Sequence, residues 1–121
     1  MSSQQLKSER LCKHEILRGK KCFETVFSSG DVVFGPVFSL RYVPATDKRV
    51  AFAVSKRAGN AVYRNRVKRI LRDIYRKQKH LLGNYWIVCV VGKKNQRLTY
   101  NKLLNEFLNL ILKANLVKER S

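Results

Sequence analysis

The chain has 121 residues, of which 45% are hydrophobic, so it is long and apolar enough for one domain with a core. It carries 26 lysines and arginines against 8 acidic residues, a net charge of +18. This composition excludes a disordered basic tail, which would lack the apolar residues of a core. Because the basic residues run through the whole chain, a folded module that binds nucleic acid is favoured; an anionic membrane surface is the lesser alternative.

Three cysteines, Cys12, Cys22 and Cys89, are widely spaced and form no C-x-x-C pair. This spacing argues against a zinc site and is typical of reduced thiols in a cytoplasmic protein. The N-terminal residues include no apolar segment of the kind found in signal peptides. No apolar run approaches the roughly 18 residues that a membrane span requires, so we expect no membrane-spanning segment. The expected partners are nucleic acids, with no membrane among them.

The first part of the chain predicts a flexible extension followed by a short helix. Residues 1–16 are polar and basic, and we expect a single domain over residues 17–118. A helix is predicted from about Lys20 to Ser29, where Phe23 and Phe27 lie four residues apart and share a face. Two readings stay open for this pair, because it could belong to the core or form a platform on which bases stack.

Strands are predicted where apolar residues alternate or run together. Residues 31–43 read as extended structure interrupted at Gly35-Pro36, and residues 49–55 as the next strand. The apolar run at 85–91 predicts a central strand covered on both faces. A last amphipathic helix is expected from about Tyr100 to Val117.

A basic helix is predicted between the last two strands, from about Ala61 to Lys79, with Asn60 as its N-cap. At about 100° per residue, apolar and cationic residues fall on adjacent sides of this helix. The apolar side carries Tyr63, Val67, Ile70, Leu71 and Ile74, and the cationic side carries Arg64, Asn65, Lys68, Arg69, Arg72 and Arg76.

The charge of this helix predicts a polyanionic partner. Between Lys56 and Lys79 there are ten lysines and arginines and a single acid, Asp73. A solvated helix face usually alternates in sign, whereas this density of one charge destabilises the helix unless a polyanion neutralises it. Arg64, Lys68 and Arg72 would form a ladder with steps of about 6 Å, close to the spacing of phosphates along a strand.

The order of elements is α-β-β-β-α-β-α, which predicts a small single-domain α+β sandwich. The strand, basic helix and strand over residues 49–91 predict a βαβ unit whose helix packs on the sheet. Groups that could converge for hydrolysis are missing from the sequence pattern. The two histidines, His14 and His80, lie in the extension and at a helix end, and the acids are dispersed. This pattern predicts a binding module, or a subunit of an enzyme whose chemistry lies elsewhere.

The stretch Ser55–Arg72, SKRAGNAVYRNRVKRILR, resembles the signature of the bacterial ribonuclease P protein component. Weaker support comes from Phe23–Phe27, from the apolar strand at Tyr85–Val91 and from Leu98–Asn101. Together these segments cover about residues 17 to 113. The resemblance implies a left-handed βαβ crossover around the basic helix.

The resemblance also implies a function. In that family a large catalytic RNA cleaves the 5′ leader from precursor tRNA, and Mg²⁺ is held mainly by the RNA. The protein would be an endoribonuclease subunit without catalytic residues of its own. Its partners would be the catalytic RNA and precursor tRNA.

Carried over position by position, the resemblance assigns two groups of residues. Those facing the catalytic RNA would be Lys56, Arg57, Asn60, Arg64, Asn65, Arg66, Lys68, Arg69 and Arg72. The cleft that holds the single-stranded leader would be lined by Phe23, Phe27 and the pair Arg41-Tyr42. Which member of that pair faces the leader stays open.

Two other functions follow from charge alone. A structural RNA-binding protein, ribosomal or chaperone-like, would use the same cationic helix on another RNA. A DNA-binding architectural protein would use it on duplex phosphates.

Overall fold

The computed structural model describes residues 15–92 and 99–117. The predicted flexible extension therefore lies outside the described residues except for positions 15 and 16. The basic segment after the apolar strand, at 93–98, and residues 118–121 also lie outside them.

The described residues form three α-helices and four strands in the predicted order. They are α1 (Lys20–Ser29), β1 (Asp31–Phe34), β2 (Ser39–Pro44), β3 (Arg49–Val54), α2 (Ala61–Gln78), β4 (Tyr85–Val91) and α3 (Tyr100–Lys113). Short 3₁₀ turns at Lys56–Ala58 and Lys79–Leu81 precede and follow α2. This architecture confirms the predicted α+β class.

The four strands form one mixed sheet in the order β1-β2-β4-β3. β4 pairs antiparallel with β2 and parallel with β3, so it has a neighbour on each side. Its residues Ile87, Val88 and Cys89 are at most 1% exposed, which confirms the predicted central strand. The parallel pair β3 and β4, joined through α2, is the predicted βαβ unit. That this crossover is left-handed stays a prediction from the family resemblance.

Helices cover both faces of this sheet. On one face, Ile87 and Cys89 of β4 pack in a large core with α2 and α3. On the other face, Val88 packs with Val26 of α1 and with Leu17. The sheet is therefore the middle of three layers, because successive side chains of a strand point to opposite faces.

The segment before α1 is tied to the sheet. Leu17 is 2% exposed, and its backbone N–H donates to the carbonyl of Val50 at 2.9 Å. Ile16 forms a parallel bridge with Val50, and Glu15 pairs with Lys79 at 2.8 Å. Residues 15 and 16, which the sequence grouped with the extension, thus pack on the domain.

The last helix, α3, ends four residues before the predicted Val117. Thr99 caps its start by accepting from the backbone N–H of Lys102. Asn115 has a φ of 58°, in the left-handed region that terminates helices. Glu106 of α3 is 8% exposed and accepts from the backbone N–H of Val37, which anchors the β1–β2 connection to the helix.

Two buried weak acids predict a loss of stability at alkaline pH. Burial raises the pKa of the Cys89 thiol; burial, with Glu15 and Cys89 nearby, raises that of the Tyr75 phenol. The unfolded chain would release these protons near the ordinary pKa values of 9.0 and 10.0, while the folded chain retains them. Below about pH 9, these two groups should therefore not lower the free energy of unfolding. It should then fall by about 1.4 kcal/mol per pH unit for each ionising group.

Urea unfolding between pH 8 and 11 measures this decline. Cys89→Ala lowers stability at every pH because it leaves a cavity. It should nevertheless make the decline shallower between about pH 9 and 10, where the thiol alone titrates. A decline of equal slope in both proteins would contradict the assignment to Cys89.

Candidate nucleic-acid interface

The turn before α2 is built by residues of the signature segment. Ser55 accepts from the backbone N–H of Arg57 at 3.1 Å, and Asn60 accepts from that of Tyr63 at 2.9 Å, which confirms Asn60 as the N-cap. A Cβ atom at Gly59 would come within 2.6 Å of the Tyr63 ring, so a larger residue would displace the start of the helix. This turn leaves the side chains of Lys56 and Arg57 exposed.

The buried side of α2 is rotated toward the predicted cationic side. Val67, Leu71, Ile74 and Tyr75 are at most 1% exposed. Tyr75 lies within the angular range that the wheel assigns to cations, so the periodicity of α2 alone does not place it in the core. Tyr63, predicted to lie in the core, is only half-buried. The direction that points away from the core consequently passes close to Arg69.

The rotation divides the predicted cations into two groups. Arg66, Arg69 and Arg72 are exposed, whereas Arg64 and Lys68 are half-buried at the border of the core. The Nε atom of Arg64 also donates to the carbonyl of Gly59 at 3.2 Å. The predicted ladder of Arg64, Lys68 and Arg72 is therefore not uniformly exposed. The outward row is instead Asn65, Arg69 and Arg72, at helical spacings of four and three residues.

Three acids, Glu15, Asp47 and Asp73, pair with cations outside the signature group. Burial would raise the pKa of Asp73, but hydrogen bonds from Arg76, Tyr100 and Lys77 outweigh burial and lower it. The Tyr100 hydroxyl donates to Asp73 at 3.0 Å and joins α2 to the start of α3. Near the start of β3, Asp47 accepts from the Trp86 indole at 2.7 Å and from Arg49 at 3.0 Å.

The predicted RNA-facing cations have no such partners. Within residues 15–92 and 99–117, no acid lies within ion-pair distance of these seven side chains. They are Lys56, Arg57, Arg64, Arg66, Lys68, Arg69 and Arg72. Their charge is consequently uncompensated by the described part of the protein, and it is concentrated on and just before one helix.

A second candidate surface lies on the α1 side of the sheet. Phe27 is 43% exposed, so it is not a core residue, and its ring stacks with that of Phe23 at 6.5 Å between centroids. The guanidinium of Arg41 lies 4.9 Å from the centre of the Phe27 ring. Two stacked rings with a cation beside them form a surface on which unpaired bases can stack.

The other member of the predicted pair, Tyr42, lies elsewhere. Strand pairing places Arg41 opposite Val88 and Tyr42 opposite Ile87, and these two partners face opposite sides of the sheet. Tyr42 packs edge-to-face on Tyr85 on the side of α2 and α3. The placement of Tyr42 in the predicted cleft is therefore corrected, since only Arg41 shares a face with Phe27.

Phe34 also lies on the α1 side of the sheet, although no motif in the sequence indicates this position. It pairs with Ser39, two residues before Arg41 on β2. Side chains along residues 31–43 alternate between the two faces of the sheet. Because the chain is interrupted at Gly35-Pro36, however, the sequence does not tell which residues of β1 and β2 pair. Only the pairing of the strands shows that Phe34 and Arg41 share a face.

Among the described residues, no three of His, Cys, Asp and Glu lie together as a metal ion would require. In the same part of the chain, no helix has the length and apolar character needed to cross a bilayer.

Comparison with protein families gives one matching model. The family described as Ribonuclease P matches residues 11–115, a segment that includes α2 and the whole described sheet. The match thus spans both candidate surfaces.

Curated relatives carry the name ribonuclease P protein component. The protein from Petrotoga mobilis is 35% identical over 108 residues, covering 84% of this chain and 92% of its own length. The protein from Streptococcus agalactiae serotype III is 33% identical over 103 residues, with 84% and 94% covered. A third relative, from Coprothermobacter proteolyticus, is 42% identical over 73 residues, which are 60% of this chain and 61% of that protein.

Solved structures show the same fold. The RNase P protein of Staphylococcus aureus superposes with a TM-score of 0.78 at 20% identity, covering 86% of this chain and 98% of that chain. The RNase P protein of Thermotoga maritima gives a TM-score of 0.72 at 23% identity, with 82% and 96% covered.

Proposed function

This chain belongs to the ribonuclease P protein family, and we propose that it binds two RNA segments at its two surfaces. The α2 surface binds the catalytic RNA of ribonuclease P. The α1 side of the sheet binds the single-stranded 5′ leader of precursor tRNA. By holding both, the protein promotes removal of the leader and maturation of the tRNA 5′ end.

The uncompensated charge of α2 is the observation that carries this proposal. Arg66, Arg69 and Arg72 are exposed and have no acid within ion-pair distance in the described residues. Each cation that contacts a phosphate releases counterions from the RNA, and the planar guanidinium of arginine loses less freedom per hydrogen bond than the ammonium of lysine. The amide of Asn65 in the same row can add a hydrogen bond to a base or sugar.

The leader surface differs from the α2 surface in chemistry. Phe27 and Arg41 offer an aromatic face and one adjacent cation rather than a row of cations. Stacking on an aromatic ring tolerates any base, because every base has a π-face, but it requires an unpaired strand. This surface is therefore suited to a single-stranded leader and not to the paired stem of the tRNA.

The hydrolytic chemistry is proposed to lie on the RNA, with Mg²⁺ held mainly there. Four described carboxylates are engaged by Lys79, Arg49, Arg76 and the backbone N–H of Val37. Among the described residues, no three potential ligands lie together as a metal ion would require. We therefore assign no Mg²⁺ ligand to the described residues. The cations would instead assist by lowering the repulsion between catalytic RNA and substrate.

A competition experiment tests whether the α2 surface prefers the proposed RNA. The protein is bound to labelled ribonuclease P RNA at fixed salt and titrated with unlabelled competitors. Ribosomal RNA fragments and duplex DNA of equal phosphate content should compete at least tenfold less well than ribonuclease P RNA. Equal competition by ribosomal RNA would favour a structural RNA-binding protein, and equal competition by duplex DNA an architectural DNA-binding protein.

A further inference from the structure

Phe34 is a large aromatic residue left open at the edge of the sheet. It ends β1, an edge strand, and its side chain is 66% exposed. Its pairing partner on β2 is Ser39, which in turn pairs with Val90 of β4, and Val90 pairs with Ala53 of β3. These four residues form one row across the sheet on the α1 side.

This row is one of the partly open parts of that face. Ser39, Val90 and Ala53 are all half-buried, so α1 does not cover them fully. In the next row, by contrast, Val88 and Ala51 are buried against α1 and Leu17. The α1 side of the sheet is thus covered in its middle and open along the row that ends at Phe34.

The open row connects the two proposed RNA surfaces. At its β3 end, Ala53 precedes the turn that carries Lys56, next to α2. At its other end, Phe34 lies diagonally across from Arg41, and such strand neighbours are about 7–8 Å apart. Arg41 in turn lies over the Phe27 ring. A strand of RNA could therefore run from Lys56 over the small side chains of this row to Phe34 and Arg41.

We propose that Phe34 is an additional stacking platform for a base of the 5′ leader. This inference rests on the proposed function. Three strand intervals of about 4.8 Å make the row about 14 Å wide. An extended strand advances about 7 Å per nucleotide, roughly twice the stacked rise of about 3.4 Å in a duplex. Phe34 would therefore hold a base about two nucleotides farther from α2 than a base at the β3 end.

Charge identifies RNA as the occupant rather than a second copy of the chain. The protein carries a net charge of +18, so two copies repel each other. The exposed edge strand beside Phe34 has only four residues, too short for a stable pairing between chains. The guanidinium of Arg41, which lies near Phe34, attracts phosphate.

A leader-length series tests this role of Phe34. The protein is reconstituted with ribonuclease P RNA in Ca²⁺, which replaces Mg²⁺ so that binding is measured without cleavage. The dissociation constant is measured for precursor tRNAs with leaders of one to ten nucleotides. Phe34→Ala should weaken binding of long leaders by about 5- to 150-fold, the range expected for one stacked base. It should leave binding of the shortest leaders unchanged, and Phe34→Trp should restore the affinity for long leaders.

Leu112→Ala is the matched control. Leu112 is 67% exposed, nearly the same as Phe34, but it lies on α3, which packs on the opposite face. It should behave as the unsubstituted protein with every leader. An equal effect of Phe34→Ala on all leader lengths would overturn the proposal. So would self-association of the protein, seen by sedimentation, that Phe34→Ala abolishes without changing leader binding.

The series also separates this inference from the proposed function. If the unsubstituted protein gave no advantage to leader-bearing over mature tRNA, the leader-binding function itself would fail. If it gave that advantage and Phe34→Ala did not reduce it, only the role of Phe34 would fail.

Discussion

Replacement of both Arg69 and Arg72 by alanine should weaken binding to ribonuclease P RNA by about tenfold or more for each lost contact. Both side chains are exposed on the side of α2 away from the core, and no described acid pairs with them. Each charge-assisted hydrogen bond to phosphate contributes about 1.5 kcal/mol or more, which is about tenfold in affinity. Filter binding over a salt series should show the slope of log K against log salt reduced by about 1.4 to 1.8 for two contacts.

The matched control for this double variant is Lys102→Ala with Lys113→Ala. These lysines are exposed on α3, so the control loses the same two charges from the net +18 without changing α2. For this control, the slope of log K against log salt should stay within about 0.5 of the value for the unsubstituted protein. The long-range attraction changes little, and the phosphate contacts of α2 remain. Equal slopes in the two double variants would show that α2 attracts RNA only through net charge.

Arg64 is less suitable for this test, although the sequence pointed to it first. Its Nε atom donates to the carbonyl of Gly59, so Arg64→Ala removes a bond at the start of α2 together with a charge. A fall in affinity would then combine lost phosphate contact with a shifted helix start.

Replacement of Phe27 by alanine should weaken binding of leader-bearing precursor tRNA by roughly 1–3 kcal/mol, the contribution of one base stacked on an aromatic ring. Mature tRNA, which lacks the leader, should bind as before. The effect on folding should be small, because the Phe27 side chain is 43% exposed. The measurement is the ratio of dissociation constants for precursor and mature tRNA, each with the reconstituted RNA–protein complex.

Val26→Ala, in the same helix, is a control for which we expect a loss of stability without a loss of selectivity for the leader. Val26 is fully buried against the sheet, so its truncation should lower the unfolding temperature through lost packing. It should leave the precursor-to-mature ratio unchanged at temperatures where the protein is folded. If Phe27→Ala instead lowered the unfolding temperature as much as Val26→Ala and left the ratio unchanged, Phe27 would act as a core residue.

The elements of the fold were predictable where the sequence has strong local signals. The N-cap at Asn60, the bounds of α1 and the central position of β4 were all predicted and are confirmed. Each depends on a side chain or a short apolar run acting on its own neighbourhood. The end of α3 was misplaced because Asn115, unlike glycine, is a weak signal for a left-handed residue.

The orientation of α2 could not be read from its own periodicity. Tyr75 lies near the cations on the helical wheel, yet it is fully buried and packs edge-to-face on Phe107 of α3. The contact depends on where α3 crosses α2, which the sequence of α2 does not contain. Burial of Tyr75 turns the helix so that Arg64 and Lys68 reach the border of the core. The type of surface was predictable, but its most exposed row was not.

The leader cleft shows the same limit. The pair Phe23 and Phe27 follows from helical spacing, but the choice between Arg41 and Tyr42 depends on the alignment of β2 with β4. A shift of one residue would exchange their faces. The position of Phe34 on the sheet depends on the pairing of β1 with β2 and of β2 with β4, so no single segment of the sequence indicates it.

Cleavage of precursor tRNA at low Mg²⁺ most directly tests the claim that this protein assists an RNA catalyst. Three reactions are compared: the cognate ribonuclease P RNA alone, the RNA with this protein, and the protein alone. We predict cleavage by the RNA–protein pair only, because the cations of α2 and the leader surface compensate for the missing Mg²⁺. Cleavage by the protein alone would contradict this account. So would failure of the protein to restore cleavage by an RNA that is active at high Mg²⁺.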